Sequence, residues 1–546
     1  MKNSFGTIDY LIFIGYCGLI IFIGLFVSRT RKGKKKTAKD YFLADKSLPW
    51  WAIGSSLIAA NISAEQYIGM SGSSYAIGLA IASYEWIAAL GLIVVGVFIL
   101  PIFLKKEIYT MPQFLQMRFD NRVRTTLATF WLLVYVFVNL TSVMWLGALA
   151  LNTIIGIPVF WGIIGLALFA AVYSIYGGLK AVALTDVVQV IFLIGGGLIT
   201  TWLALKAIGG GDGAIAGFHN LTSQVPEKFH MIIRKGDLMI PDGKGGTMDA
   251  WTILPGLSVI IGGMWVANIA YWGFNQYIIQ RGLAAKSIAE AQYGMVFAGF
   301  LKLLIPLIVV IPGIAAYLIS KDPAAYGIEG AAGITKSDQA YPWLLHNIVP
   351  MGVKGLAFAA LVAAIVSSLA SMLNSTSTIF TMDIYRSWHK EPVSEAKLVR
   401  VGRLTSFIAM IIAVVAAKPL LGSLDQAFQF IQEFTGFITP GVCAIFLFGL
   451  FWRRTTSNAA LWGVGLSIPI SFAFMVFLPQ VPFMNRWGYV FLILAAIMIT
   501  MSLLESKTDH PKAIILEKGI FKTTGMFKFW AIILIGVLAA LYTIFW

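Results

Sequence analysis

The chain has 546 residues, of which 58% are apolar and 12% charged, against about 45–50% and about 25% in soluble globular proteins. That is the composition of a membrane protein with many crossings. The longest polar connections, near residues 206–250 and 321–354, reach at most the roughly 40–60 residues an independent core needs, which excludes an appended kinase, nucleotide-binding cassette or hydrolase. The formal charge of +15, from 40 Lys and Arg against 25 Asp and Glu, is explained by membrane topology rather than by a nucleic-acid partner.

At roughly 20 residues per crossing, about fourteen helical spans are predicted, at residues 9–28, 50–72, 77–104, 124–154, 157–177, 182–208, 252–279, 290–319, 355–385, 400–421, 425–450, 456–478, 487–504 and 526–546. The basic cluster RTRKGKKKTAK directly follows the first of them. About 28 basic residues fall in alternate connections and about 11 in the others, so the denser side is expected to be cytoplasmic, with both termini outside. A cleaved signal peptide carries its basic residues before the apolar run; the reverse order here predicts a retained first span. Cys17 and Cys443 both sit in apolar runs and offer neither a disulfide framework nor a thiolate metal site.

The second predicted span reads SLIAANISAEQYIGMSG (Ser56 to Gly72) and the seventh GGMWVANIAYWGFNQYIIQR (Gly262 to Arg281). Both place polar clusters where an ordinary crossing is uninterrupted Leu, Ile and Val. They lie five spans apart and so cross in opposite directions, the pattern of an inverted repeat with halves in spans 2–6 and 7–11. An interrupted helix survives in lipid only where it lines a cavity or an ion site. The bland alternative is that Asn61, Ser63 and Asn268 cement helices together.

A charge at bilayer depth costs about 2.5–3.5 kcal/mol and calls for a partner or a function. Those predicted at depth are Glu65, Glu85, Asp186, Lys302 and Glu433, with Lys302 to Glu85 as a natural pair, functional or purely structural. Gln66, Asn268, Tyr271 and Gln432 add amide and hydroxyl groups, a set able to bind a neutral polyhydroxylated solute. Tyr271, Trp272 or Phe428 offer an aromatic face to a sugar ring, or simply pack. In the ninth span Ser367, Ser371 and Ser375 recur every four residues along one helical face, a stripe suited to close packing or to a small monovalent cation. Hydroxyls of Ser367 and Ser368, joined by carbonyls freed between Ala59 and Ile62, compose a neutral oxygen cage for sodium, whereas hard divalent ions recruit several carboxylates. None of the five histidines falls in a predicted span, which argues against an intramembrane enzyme.

These motifs, with YSIYGGLKAVALTDVVQV from Tyr173, AIVSS from Ala364 and QAFQFIQEFTGFITPG from Gln426, resemble the sodium/solute symporter family, in particular its bacterial sodium/galactose (sodium/glucose-type) branch, over essentially the whole chain. The resemblance implies an all-α membrane fold of the LeuT type, a five-plus-five inverted repeat with two broken helices plus flanking helices. Its segments would be a first helix and basic loop (1–48), a first repeat (49–209), an extracellular loop (210–251), a second repeat (252–450) and C-terminal flanking helices (451–546). It implies that Gln66, Glu85, Asn268, Lys302 and Gln432 bind the sugar hydroxyls, that Tyr271 is the inner gate, and that Met70, Tyr84 and Phe428 form the outer lid. Sodium would be held by main-chain carbonyls of Ala59, Ile62 and Ala364 and hydroxyls of Ser367 and Ser368, with Asp186 on its release route. Ala88 departs from the pattern by lacking a hydroxyl, which bears on which sugar is carried. The function implied is sodium-coupled import of a hexose across a bacterial inner membrane, with sodium, sugar and lipid as its only evident partners; the alternative is a sodium symporter of the same fold for sialic acid, inositol, an amino acid or a carboxylate.

Overall fold

The computed structural model describes residues 5–28, 37–241, 246–254, 256–331, 333–389, 391–421 and 427–546. The side chains of residues 427–430, Phe428 among them, lie outside the described residues. The first part of the chain runs through α1 (Thr7–Ser28), α2 (Trp50–Asn61), α3 (Ser71–Ile77), α4 (Ser83–Val94) and α5 (Met111–Arg118). It continues with α6 (Asn121–Ile155), α7 (Val159–Gly177), α8 (Leu179–Gly209) and α9 (Gly213–Gln224). A short antiparallel hairpin pairing Met239–Pro241 with Thr247–Asp249 follows. Then come α10 (Gly256–Ile261), α11 (Gly263–Ile269), α12 (Gln276–Leu283), α13 (Ile288–Lys321), α14 (Ala340–Asn347) and α15 (Val353–Ile379). The chain ends with α16 (Glu395–Leu421), α17 (Ala427–Thr435), α18 (Thr439–Phe451), α19 (Ser457–Phe477), α20 (Phe483–Glu505) and α21 (Gly525–Ile544).

Eleven helices among the described residues are long and apolar enough to cross a membrane, twelve if one bent pair is counted. The chain is therefore an all-α multi-pass membrane protein. The difference from fourteen predicted spans arises where apolar runs are cut. The second run is divided at Ile62, which leaves α2 at 12 residues, too short to cross by itself. The seventh run, expected as one crossing over 252–279, is bent at Gly262 and divided again at Asn275. The run at 157–177 supplies only a shorter apolar helix, Val159–Val172, whereas the run at 425–450, interrupted by turns at residues 436–438, still counts as a crossing over Ile431–Phe451.

Each division has a local cause. Ile62 leaves the helix with φ −81° and ψ 114°, and the chain restarts immediately. The Ser63 hydroxyl accepts from Glu65 N (3.0 Å), and Gln66 Oε1 accepts from Ser63 N (2.9 Å). Ser63-Ala-Glu-Gln66 is a capping box, a polar restart written into an apolar run. A π turn at Glu65–Met70 leads from it into α3. Asn275 adopts nearly the same backbone, φ −80° and ψ 122°, after a π turn over Ala270–Phe274.

Helix α15 is the centre of the bundle. Its most apolar stretch is 94% buried, against 17% for α1, and it packs against α8, α7, α1 and α16. On the other side of α8, α13 packs against α2, α3 and α4. The Asp9 carboxylate accepts from Gly352 N (2.8 Å) and Gly355 N (2.6 Å), so α1 caps the N-terminus of α15, where a negative charge is favoured. At the far end Asp383 pairs with Arg124 (3.1 Å) and accepts from the Thr110 hydroxyl (2.9 Å).

Two glycines are fixed by close approach. Gly78 turns the chain between α3 and α4 with φ 78°, and a Cβ there would meet Lys228 O at 2.3 Å. A Cβ on Gly263 would lie 1.8 Å from Met484 O, so α11 reaches α20 only with glycine at that position. Gly263→Ala is expected to lower the thermal unfolding midpoint in detergent by several degrees, whereas Gly536→Ala, which faces open space, leaves it unchanged or raises it; equal midpoints would remove the close-approach argument.

Candidate functional site

The two divided segments face one cavity of about 120 Å³. Gln66, Glu85, Asn268, Lys302 and Gln432 all line it, with Tyr271, Met70, Tyr84 and Ala88. Asn61, Glu65, Trp131, Tyr135, Asn139, Trp272 and Thr435 complete much of the wall. Six separate segments thus bring polar groups to one place inside the bundle.

Within the cavity the polar groups are tied to one another. Lys302 donates to Glu85 Oε2 and to Asn61 Oδ1, and its ammonium lies 5.1 Å from the centre of the Trp272 ring, close enough for a cation–π contact. Asn61 Nδ2 donates to the Tyr271 hydroxyl (2.9 Å), which also meets the Tyr277 hydroxyl (2.7 Å). Asn268 donates to Met264 O (2.9 Å) and accepts from Trp272 Nε1 (3.2 Å). These bonds satisfy the buried groups and fix their rotamers before any solute arrives. Gln66 Oε1 is occupied by the capping of its own helix, so the group this residue has to offer is its amide nitrogen, a donor, rather than both functions of the amide.

The α2 break meets α15 directly. The Ser368 hydroxyl donates to Ala60 O (3.1 Å) and lies 3.4 Å from Ile62 O. Ala59, Ala364 and Ser367 are fully buried in the same contact zone. The carbonyls that Ser368 meets are those of Ala60 and Ile62. The Ser367 hydroxyl turns the other way and donates to Asp186 Oδ1. The oxygens at this contact are carbonyls and hydroxyls, neutral and short-reaching, the donor chemistry of a small monovalent cation.

Asp186 belongs to a network that the sequence did not reveal. It pairs with Arg281 at 3.6 Å, with both side chains fully buried, and accepts from Ser56. Arg281 also donates to Ser56 Oγ (2.9 Å), to Tyr277 O and to Ser371. One guanidinium therefore joins α2, α8, α12 and α15. The span expected over 252–279 stops two residues before Arg281 and leaves it out. The missed signal is helical: Tyr277 and Arg281, like Gln276 and Gln280, repeat at four-residue spacing and carry α12 beyond the apolar window. Glu433, read as a charge at depth, is partly exposed and pairs with Arg486 (3.0 Å). The Arg124–Asp383 pair was not anticipated either.

Removing one partner of a buried pair leaves an uncompensated charge and costs about 3–5 kcal/mol. Arg281→Met is therefore expected to destabilise the protein strongly in detergent, and Asp186→Asn combined with Arg281→Met to recover most of the loss. Additive losses in that double-mutant cycle would mean the pair contributes little.

Comparison with known proteins agrees with this architecture. The sequence matches the sodium:solute symporter family over residues 41–466. It is 53% identical over 554 residues to a sodium/glucose cotransporter of Vibrio parahaemolyticus, with 100% of this chain and 99% of the relative covered. It is 32% identical over 477 residues to sodium/myo-inositol cotransporter 2 of Oryctolagus cuniculus, covering 85% of this chain and 69% of the relative. A sodium-coupled sialic acid symporter, solved substrate-bound and outward-open, superposes with a TM-score of 0.78 at 25% identity and covers 92% of this chain and 98% of its own. Mhp1, of the nucleobase-cation-symport-1 family, shares the fold alone, at a TM-score of 0.51 and 14% identity, with 89% of this chain and 98% of its own covered. A match over most of the chain and more than half identity to a full-length relative place this protein in the sodium:solute symporter family.

Proposed function

We propose that this symporter imports a neutral hexose of the galactose or glucose type together with sodium by alternating access. The observation that carries the reading is the convergence of Gln66, Glu85, Asn268, Lys302 and Gln432 with the Tyr271 ring on one cavity, adjacent to the contact of Ser368 with the α2 break. Donors and acceptors with an aromatic face suit a ring that is polar at its edge and apolar on its faces. The sodium/glucose cotransporter relative supports the same assignment.

In this scheme Gln66 and Lys302 donate to sugar hydroxyls, Glu85 accepts, and Asn268 and Gln432 supply both functions as their present bonds exchange. Tyr271 stacks on the sugar and holds the inward path shut. Met70, Tyr84 and Phe428 close it from outside. Sodium takes the carbonyls of Ala59, Ile62 and Ala364 with the hydroxyls of Ser368 and of Ser367, the latter exchanging its bond to Asp186. It thereby draws α2 against α15, stabilises the outward-open cavity, and leaves past Asp186. The broken segments count as crossings in a five-plus-five inverted repeat, for fourteen in all, with both termini outside a bacterial inner membrane.

The energetics suffice. A potential of about 100 mV supplies about 2.3 kcal/mol per charge, and a tenfold sodium gradient about 1.4 kcal/mol, so one ion per sugar sustains a gradient of roughly several hundredfold. Coupling is reciprocal: sodium tightens sugar binding by the factor by which sugar tightens sodium binding.

A second reading, a sodium symporter of this fold for another solute, is favoured by Ala88, which presents a methyl group to the cavity wall, and by the inositol cotransporter relative. Uptake of labelled galactose, glucose and myo-inositol into proteoliposomes under inward sodium, potassium or proton gradients separates the two. Sodium-driven hexose accumulation is expected, reduced at least tenfold by Gln66→Ala and abolished by Ser368→Ala. Accumulation of inositol alone would favour the second reading, and accumulation that ignores sodium would defeat both. In the same assay Glu85→Gln is expected to raise the KM for hexose about tenfold or more, as the loss of a charge-assisted hydrogen bond implies, with the sodium dependence retained; an unchanged KM would remove Glu85 from the sugar contacts.

A further inference from the structure

The other carboxylates described above each meet a basic group or backbone N–H groups. Glu85 has Lys302, Asp186 has Arg281, Asp383 has Arg124, Glu433 has Arg486, and Asp9 sits on backbone N–H groups. Glu65 is the exception. Among the described residues no basic nitrogen lies within salt-bridge distance of it; its Oε1 accepts from the Ser142 hydroxyl (3.1 Å), and its Oε2 has no partner. Glu65 nevertheless lines the cavity that holds Glu85 and Lys302. With two carboxylates and one ammonium, that cavity has a formal net charge of −1.

An unpaired carboxylate in a water-poor site is costly to retain, and packing against Ser142 alone does not call for it, because a glutamine would accept the same bond. What glutamine does not supply is charge. Two like charges about 6 Å apart, at an effective dielectric constant of about 20, repel strongly enough to change an affinity by roughly a hundredfold. At an effective dielectric constant of about 40 the same repulsion changes an affinity by roughly tenfold.

We infer that Glu65 is a specificity-determining residue of this symporter: its carboxylate faces the solute, accepts a hydroxyl hydrogen bond with Oε2, and rejects sugars that carry a carboxylate of their own. The inference rests on the hexose reading above and adds to it the class of solute that is excluded. Specificity of this kind is a difference of affinities set by a repulsive element as much as by attractive contacts.

The test is competition in proteoliposomes. Unlabelled galactose and unlabelled galacturonate, which differ by a carboxylate at C6, compete against sodium-driven uptake of labelled galactose. The readout is the ratio of their inhibition constants, galacturonate over galactose. In Glu65→Gln this ratio is expected to fall about tenfold from the wild-type value. In Ser142→Ala, which removes the hydrogen bond and keeps the charge, the ratio is expected to stay put. Asn139→Asp adds a negative charge to the cavity wall, and there the ratio is expected to rise. That variant decides the matter if Glu65→Gln fails to insert. An unchanged ratio in Glu65→Gln, or in Asn139→Asp when the former is not recovered, would overturn this inference alone. Absence of sodium-driven galactose uptake by the wild type would overturn the hexose reading and this inference with it.

Discussion

The structure depends on what happens to backbone carbonyls and N–H groups when a helix stops in the middle of a membrane. Each unpaired group there costs several kcal/mol, so a break is possible only where something else supplies the bonds. At Ile62 the restarting helix is capped by Ser63 and Gln66 from within the chain, and the carbonyls left behind are met by Ser368. At Asn275 the side-chain oxygen accepts from the Tyr135 hydroxyl. Both breaks thus bring polar side chains to one cavity.

Burial of charge follows the same rule. Several buried ions come in pairs that join helices distant in sequence: Lys302 with Glu85 binds α13 to α4, and Arg281 with Asp186 binds α12 to α8. Such pairs contribute little net stability against apolar packing, yet losing one partner leaves a buried charge uncompensated.

Much of this was legible in the sequence. Charges at depth and the polar interruptions located the cavity, because a membrane makes every polar residue conspicuous. Other features were harder to read. Ser63-Ala-Glu-Gln66 is a recognisable capping box, yet in a run scored for hydrophobicity it registers only as polarity, and its consequence, that Gln66 Oε1 is already bonded, depends on the three-dimensional restart. The span expected over 252–279 leaves Arg281 out because a hydropathy window ends where apolar residues end, while α12 continues as an amphipathic helix inside the protein. Glu433 also falls in an apolar stretch, but its segment is interrupted just beyond it, and its carboxylate is partly exposed and pairs with Arg486. In each case the error lies in equating an apolar window with the buried part of a helix.

The attachment of α15 at both ends has a mechanical consequence. Asp9 grips its first turn through two backbone N–H groups, and Asp383, beyond its last turn, is anchored by Arg124 and Thr110. The contact between Ser368 and Ile62 thus joins a helix held at both ends to α2, a stub of 12 residues that stops at the break and is itself tied through Ser56 to Asp186 and Arg281.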